Sequence, residues 1–308
     1  MTMKTCTPIH ILVPLDGSPL ADQALAYAAA IAGPDDEIRL LYVAPTPEPP
    51  QTMRGNDMPI TEQDVARYQR ISEQITANSA TLWRDILGDV TEETVYGDPA
   101  DRILATAEKR NIDLIIMASH GRGALGRWRF GSVADRVVRA SCVPVLVVRP
   151  QDALESFGPA NIFRIIVPLD GSARAEQALP VAEYLALRLH RPTVLIEVTP
   201  DGMTPAVNFG AVAAEAVAHD AALAAEHAAL KTLDHSAAQL QAAGVTVSWD
   251  VEVGEPFERI TGTAKAGDLI VLASHGRSGV ARWMLGSVAE KLIRMADAPV
   301  LVVRAKPE

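Results

Sequence analysis

Aromatic side chains are scarce in this 308-residue chain, where Phe, Trp and Tyr together make up 5%. So few rings argue against a platform on which successive nucleobases stack. A surplus of positive charge is missing too: 28 Lys and Arg stand against 38 Asp and Glu, a formal net charge of −10. Such a field repels a phosphodiester backbone and argues against a general nucleic-acid binder. A small phosphate is not excluded, because local arginines and backbone N–H groups act at short range. Only two cysteines are present, Cys6 and Cys142, too few for a disulfide framework. Cys142 stands just before an apolar strand pattern and reads as a small buried hydrophobe. No apolar run approaches the roughly 18 residues of a membrane span. The opening MTMKTCTPIH has no apolar core of the signal-peptide kind. These absences point to a cytoplasmic protein with neither a membrane nor a nucleic-acid partner.

What is there is a repeat. ILVPLDGS at 11–18 returns as IIVPLDGS at 165–172, and Gly97-Asp98-Pro99 is answered by Gly254-Glu255-Pro256. The most informative pair is DLIIMASHGRGALGRWRFGSV, 113–133, and DLIVLASHGRSGVARWMLGSV, 268–288. The length accommodates about two domains of roughly 150 residues. We read a first domain over 1–150, a linker over 151–162 and a second domain over 163–308.

Within each half, apolar strand patterns alternate with helical ones, which implies a parallel sheet covered on both faces. Ser18-Pro19 is a helix start, with Ser18 as cap and Pro19 in the first turn. Pro14 belongs at the carboxyl end of the first strand, where a missing N–H is tolerated. Proline density over Ala44–Pro59 marks a loop, and Thr61 opens a long polar helix. In the second half an Ala-rich helix runs from about Val212 to Ala243, its leucines 223, 230, 233 and 240 marking one face. Val245 to Val253 alternates with period two, the pattern of a half-exposed edge strand. The predicted fold class is therefore α/β: two tandem doubly wound, Rossmann-like domains, each with a five-stranded parallel sheet of order 3-2-1-4-5.

In such sheets ligands bind beyond the strands' carboxyl ends, where the strand order reverses. Asp16 and the loop after the fourth strand would face each other there, as would Asp170 and the 273–287 loop. Gly121 to Gly126 satisfies G-x-G-x-x-G, but it follows the fourth strand rather than the first, and the second copy does not keep it. A P-loop fails as well, since Arg127-Trp128 stands where Lys-Ser/Thr is required. What both copies keep is spacing: nine residues separate Gly121 from Gly131 and Gly276 from Gly286. Gly131-Ser132 and Gly286-Ser287 would then offer a helix N-terminus to an anion. Arg122 and Arg277 stand ready to balance phosphate charge, or lie solvated on the surface. His120, His275, His219, His227 and His235 form no cluster at metal-ligand spacing. No nucleophile-and-base order repeats in both halves, so no catalytic residue is assigned.

These residues resemble the universal stress protein family in a tandem two-domain form. Its ATP-binding members carry G-x2-G-x9-G-[S/T] after the fourth strand. Here the pattern reads Ala118-x2-Gly121-x9-Gly131-Ser132 and Ala273-x2-Gly276-x9-Gly286-Ser287, with alanine in place of the first glycine both times. The resemblance implies that Asp16, Val43 and Met117 contact a nucleoside beside Pro14 and Ala118, with phosphates on Gly121, Arg122, Gly131, Ser132 and Val133. In the second half it implies Pro168, Asp170, Val198, Leu272 and Ala273, with phosphates on Gly276, Arg277, Gly286, Ser287 and Val288. The ligand implied is ATP, or AMP or ADP, with Mg2+ or Mn2+ carried on the phosphates. The family also pairs domains through the last strand, within one chain here, and a homodimer is further implied. Three functions follow: a nucleotide-binding stress regulator, a nucleotide-free interaction module of the same fold, or a slow ATPase.

Overall fold

The computed structural model describes residues 8–44, 62–88, 90–119, 130–149, 158–200, 211–265, 267–274 and 285–305. The proline-rich loop, most of the expected linker and the centres of both Gly/Arg-rich loops lie outside them. The chain divides into two compact units, the first over Pro8–Ala160 and the second from Asn161 onward.

The first unit runs β1 (His10–Leu15), α1 (Pro19–Ile31), β2 (Glu37–Ala44), α2 (Glu62–Leu87), β3 (Val90–Tyr96), α3 (Pro99–Lys109), β4 (Leu114–Ala118), α4 (Ser132–Ala140) and β5 (Val145–Val148). Its strands are parallel and lie in the order β3-β2-β1-β4-β5. Leu12, Val13, Leu40, Leu41, Ile115 and Ile116 are fully buried, as strands covered on both faces require. Ser18 caps α1 by accepting Ala21 N–H at 3.2 Å. Asp98 caps α3 by accepting Asp101 N–H at 3.1 Å. Each cap precedes a proline in the first turn, where no N–H is needed.

The second unit repeats this: β6 (Arg164–Leu169), α5 (Leu179–Leu189), β7 (Thr193–Thr199), α6 (Ala211–Ala242), β8 (Val247–Val253), α7 (Pro256–Thr263), β9 (Asp268–Ala273), α8 (Ser287–Met295) and β10 (Val300–Val303). Its order is β8-β7-β6-β9-β10, again parallel. One departure from the first unit traces to a proline. Ser172 Oγ accepts Ala175 N–H at 3.1 Å, much as Ser18 does in the first unit. The turn it opens, Ala175–Ala178, is a 3-10 helix, and α5 starts only at Leu179. Pro180 has no N–H for the Glu176 carbonyl, so Leu179 N–H takes that carbonyl at the shorter 3-10 spacing.

Two expectations are corrected. Cys142 is exposed, because it falls in the turn between α4 and β5 rather than against the strand. Leu223 and Leu230 are 42% and 38% exposed, whereas Leu233 and Leu240 are buried. Among the described side chains of α6, the row that meets the core is Ala229, Leu233, Ser236, Ala237 and Leu240, at helical spacing.

One face of the first sheet carries an ion-pair cluster. Glu93 on β3 accepts Arg110 Nε and Nη2 at 3.1 and 3.0 Å and Arg39 Nη1 at 3.1 Å, with 15% of its side chain exposed. Arg39 also grips Glu37. Burial pushes the Glu93 carboxyl up, but the Arg110 and Arg39 guanidinium groups outweigh it and hold the carboxyl below its usual range. A carboxyl depressed in the fold adds stability that is present above the unfolded-state pKa, near ~4.3. That stability is lost as pH falls through the lower folded value. Glu93→Gln is therefore expected to cost about 1.5 kcal/mol at neutral pH and almost nothing once the parent's own carboxyl is protonated. Urea unfolding of both proteins across that acid range measures it, and a deficit independent of pH would refute the assignment.

Candidate functional site

In each unit the strand order reverses between the first and fourth strands of that unit, so β1 lies beside β4 and β6 beside β9. The turn leaving β1 is built around Asp16, whose Oδ1 accepts Ser18 N–H at 2.9 Å and Ser18 Oγ–H at 2.6 Å. Asp170 does the same for Ser172, at 3.1 and 2.6 Å. Gly17 and Gly171 between them have φ of 77° and 71°, a left-handed conformation that a Cβ disfavours. The Asp-Gly-Ser turn thus fixes its carboxylate at the carboxyl end of the central strand, half-buried in both copies.

Across the reversal, β4 gives way to Ser119, whose N–H donates to Val148 O at 2.8 Å and whose carbonyl accepts Gly131 N–H at 2.8 Å. Ser274 repeats both bonds, to Val303 O at 2.8 Å and from Gly286 N–H at 2.9 Å. The two ends of each long loop are therefore pinned together at its base. Gly131 is the N-cap of α4 and Gly286 of α8, and among the described residues no side chain caps either helix. Their φ values, −66° and −60°, are open to any residue, so glycine is not required there for backbone freedom. Its effect is to put no cap side chain of its own over the first helical turn, where Ser132 and Ser287 are exposed and Val133 and Val288 half-buried.

Register gathers the apolar residues. Pro14 pairs with Leu41, Leu12 with Ile115, so Pro14, Val43 and Met117 lie on one face of the first sheet. Pro168 pairs with Ile196 and Ile166 with Ile270, which puts Pro168, Val198 and Leu272 on one face of the second. Ala118 and Ala273 end β4 and β9 opposite Val148 and Val303. Gly121, Arg122, Gly276 and Arg277 lie outside the described residues, as do His120 and His275. His227 and His235 are exposed on α6. No group of three or more His, Cys, Asp or Glu able to hold a metal occurs among the described residues.

Residues that sequence reasoning passed over tie this helix to its neighbour. Arg136 of α4 donates Nη1 to both Asp98 oxygens at 2.8 and 2.9 Å and Nη2 to Asp101 at 2.7 Å. Lys291 of α8 likewise donates to Glu255, the cap of α7, at 2.7 Å. Asp98 is held below its usual range by the Asp101 N–H and then by Arg136; Glu255 is held low by Lys291 and then by the Phe257 N–H. The signal was available as a cap-and-cation pair at matching places in both halves. Asp22, in the first turn of α1, accepts Ser79 Oγ–H from α2 at 2.8 Å. Burial pushes its carboxyl up; Ser79 opposes this, while Asp16 reinforces it.

The chain belongs to the universal stress protein family: the sequence profile of the Universal stress protein family matches residues 9–149 and again residues 161–304. A universal stress protein of Mycolicibacterium smegmatis is 29% identical over 309 residues, covering 99% of this chain and all of the relative. One from Mycobacterium tuberculosis strain H37Rv is 27% identical over 306 residues, covering 96% of each. The crystal structure of a universal stress protein from Archaeoglobus fulgidus shares the fold, with a TM-score of 0.69 at 21% identity over 96% of this chain and 98% of that one. None of the helices is long and apolar enough to cross a membrane, among the described residues.

Proposed function

We propose that this protein is a cytoplasmic stress-response regulator that binds ATP, or another adenine nucleotide, in two crevices, one per unit. One observation carries the reading. In both units a helix N-terminus whose N-cap is glycine opens at a loop base pinned to the fourth strand, beside a turn that fixes a carboxylate at the end of the first. Such a first turn supplies backbone N–H groups and the positive end of the helix dipole to phosphate. A half-buried carboxylate suits ribose hydroxyls, and the Pro14, Val43, Met117 face and its counterpart suit a purine. Gly121, Arg122, Gly276 and Arg277 complete the phosphate cradle in this reading. A divalent ion, Mg2+ or Mn2+, rides on the phosphates.

Ala118 and Ala273 favour a second reading, a nucleotide-free interaction module, because each carries a Cβ where the family's nucleotide pattern has glycine. Native mass spectrometry of protein purified without added ligand, followed by titration with ATP, separates the two. Two adenine nucleotides per chain are expected, and the same spectrum reads whether the chain forms the homodimer that the family resemblance implies. Folded protein with no affinity for ATP, ADP or AMP would leave the interaction module as the surviving reading.

A further inference from the structure

The two units end in unlike strands. β3 and β8 each lie at one end of their unit's strand order, with no further strand beyond them among the described residues; an end strand turns half of its backbone groups away from its one neighbour. Two bonds determine which groups those are in β8. Gly254 N–H donates to Thr199 O at 2.9 Å, and Thr193 N–H donates to Thr246 O at 2.9 Å. The even-numbered residues therefore aim their N–H and C=O groups at β7. In a parallel ladder alternate residues serve alternate neighbours, so Val247, Trp249, Val251 and Val253 turn theirs outward. The side chains of those four share one face, while Ser248, Asp250 and Glu252 share the other.

Proteins usually blunt such an edge with proline, lysine or a bulge. The sequence VSWDVEV of β8 has neither proline nor lysine, and it pairs with β7 without interruption from Val247 to Val253. Counting back from the matched pairs Ala44–Tyr96 and Thr199–Val253, the residue of β3 in the place of Trp249 is Glu92. The first unit thus sets a charge where the second sets an indole that is 39% exposed, with Val253 45% exposed beyond it. The charges that β8 does carry are acidic, on the opposite face: Asp250 is exposed, and Glu252 meets Arg259 at 3.9 Å.

We propose that the outer edge of β8 receives an extended segment of a partner protein in which apolar and basic residues alternate. Its backbone would continue the sheet, its apolar side chains would lie beside Trp249 and Val253, and its basic ones beside Asp250 and Glu252. A second copy of this chain is the poorer occupant. Antiparallel pairing of two β8 strands about Asp250 opposes Asp250 to itself, between chains that each carry a net charge of −10.

The test uses the full chain and two labelled peptides, acetylated and amidated at their ends, one alternating Lys with Val and the other Glu with Val. Fluorescence anisotropy is expected to show the Lys/Val peptide binding at least about tenfold tighter at low salt, with the difference shrinking at about 0.5 M salt. Val251→Pro removes an outward N–H that β7 does not use, so the fold should survive while peptide affinity falls at least about tenfold. Should that variant fail to fold, Asp250→Lys with Glu252→Lys is decisive, because it must shift the preference to the Glu/Val peptide. Equal binding of both peptides, no binding by about 1 mM, or full affinity in folded Val251→Pro would overturn the proposal. So would a dimer of the parent chain that Val251→Pro dissolves, which would make the second copy the occupant.

Discussion

Gly131→Asp combined with Gly286→Asp is expected to abolish adenine-nucleotide binding while leaving the protein as stable as its parent, or slightly more so. The two effects have one cause. Both positions are N-caps with φ near −60° and ψ near 145°, a backbone that aspartate adopts without strain. An aspartate there accepts an N–H of the first turn and meets the positive end of the dipole. Over glycine that is worth a few tenths of a kcal/mol, about 0.5. The same carboxylate occupies the donors that the proposed function assigns to phosphate and sets a negative charge against them. A loss of at least about a hundredfold, ~2.7 kcal/mol, follows for each crevice. The single variants should lower the stoichiometry from two nucleotides to one, and the double variant to none. Gly131→Ala separates charge from bulk: it adds a Cβ without a carboxylate and should cost far less affinity than the aspartate. Calorimetric titration alongside thermal unfolding reads both quantities. Undiminished binding in a folded double variant would remove the helix N-termini from the site.

The parts of this architecture legible in the sequence were those written twice. ILVPLDGS and IIVPLDGS placed two central strands and two acidic turns, and the structure puts both turns at the end of a strand flanking the reversal. The nine-residue spacing of the glycines located the starts of α4 and α8, because a glycine before a run of helical period is a boundary whatever the loop does. The alternation ending at Val253 marked β8 as an edge strand, although only the topology shows that its odd residues turn their backbone groups outward. Features set by one residue meeting a distant one were not legible. Pro180 splits the helix after Ser172 only because it falls four residues beyond the Glu176 carbonyl. Leu223 and Leu230 keep helical spacing with Leu233 and Leu240, yet Leu223 precedes the buried row, whose first member among the described side chains is Ala229, and Leu230 lies on that row's rim, about 60° around the helix from Leu233. Periodicity identifies a face, and it says nothing of where along a helix that face meets a sheet. Cys142 failed similarly: apolar neighbours in sequence placed it near a strand, but the turn into β5 carries its thiol to the surface.

The largest stability effect is expected from a pair 104 residues apart that no motif announced. Arg164 at the start of β6 stands in register with Asp268 at the start of β9. Its Nε donates to Asp268 Oδ1 at 3.0 Å and its Nη2 to Oδ2 at 2.6 Å. Asp268 also accepts Lys265 N–H at 2.8 Å, and its side chain is only 2% exposed, against 32% for Arg164. Arg164→Met removes the guanidinium and leaves a buried carboxylate with that one backbone donor among the bonds described. Stranding a charge in this way costs about 3 kcal/mol, the lower end of the usual range, because Arg164 itself reaches solvent. For a unit of this size that is a fall in Tm of about 10 °C. The first unit has His10 and Asp113 at the matching positions. There the link is the His10 backbone N–H, which donates to Asp113 Oδ2 at 2.9 Å, so the substitution has no bearing on that unit. Calorimetry of Arg164→Met should therefore resolve a low-melting second unit from a first unit that melts near its parent temperature. Adding Asp268→Leu should recover part of the loss, since an apolar pair strands no charge. If Arg164→Met instead costs less than about 1 kcal/mol, the interaction is worth no more than an exposed ion pair, and the bidentate geometry contributes little to holding β6 against β9.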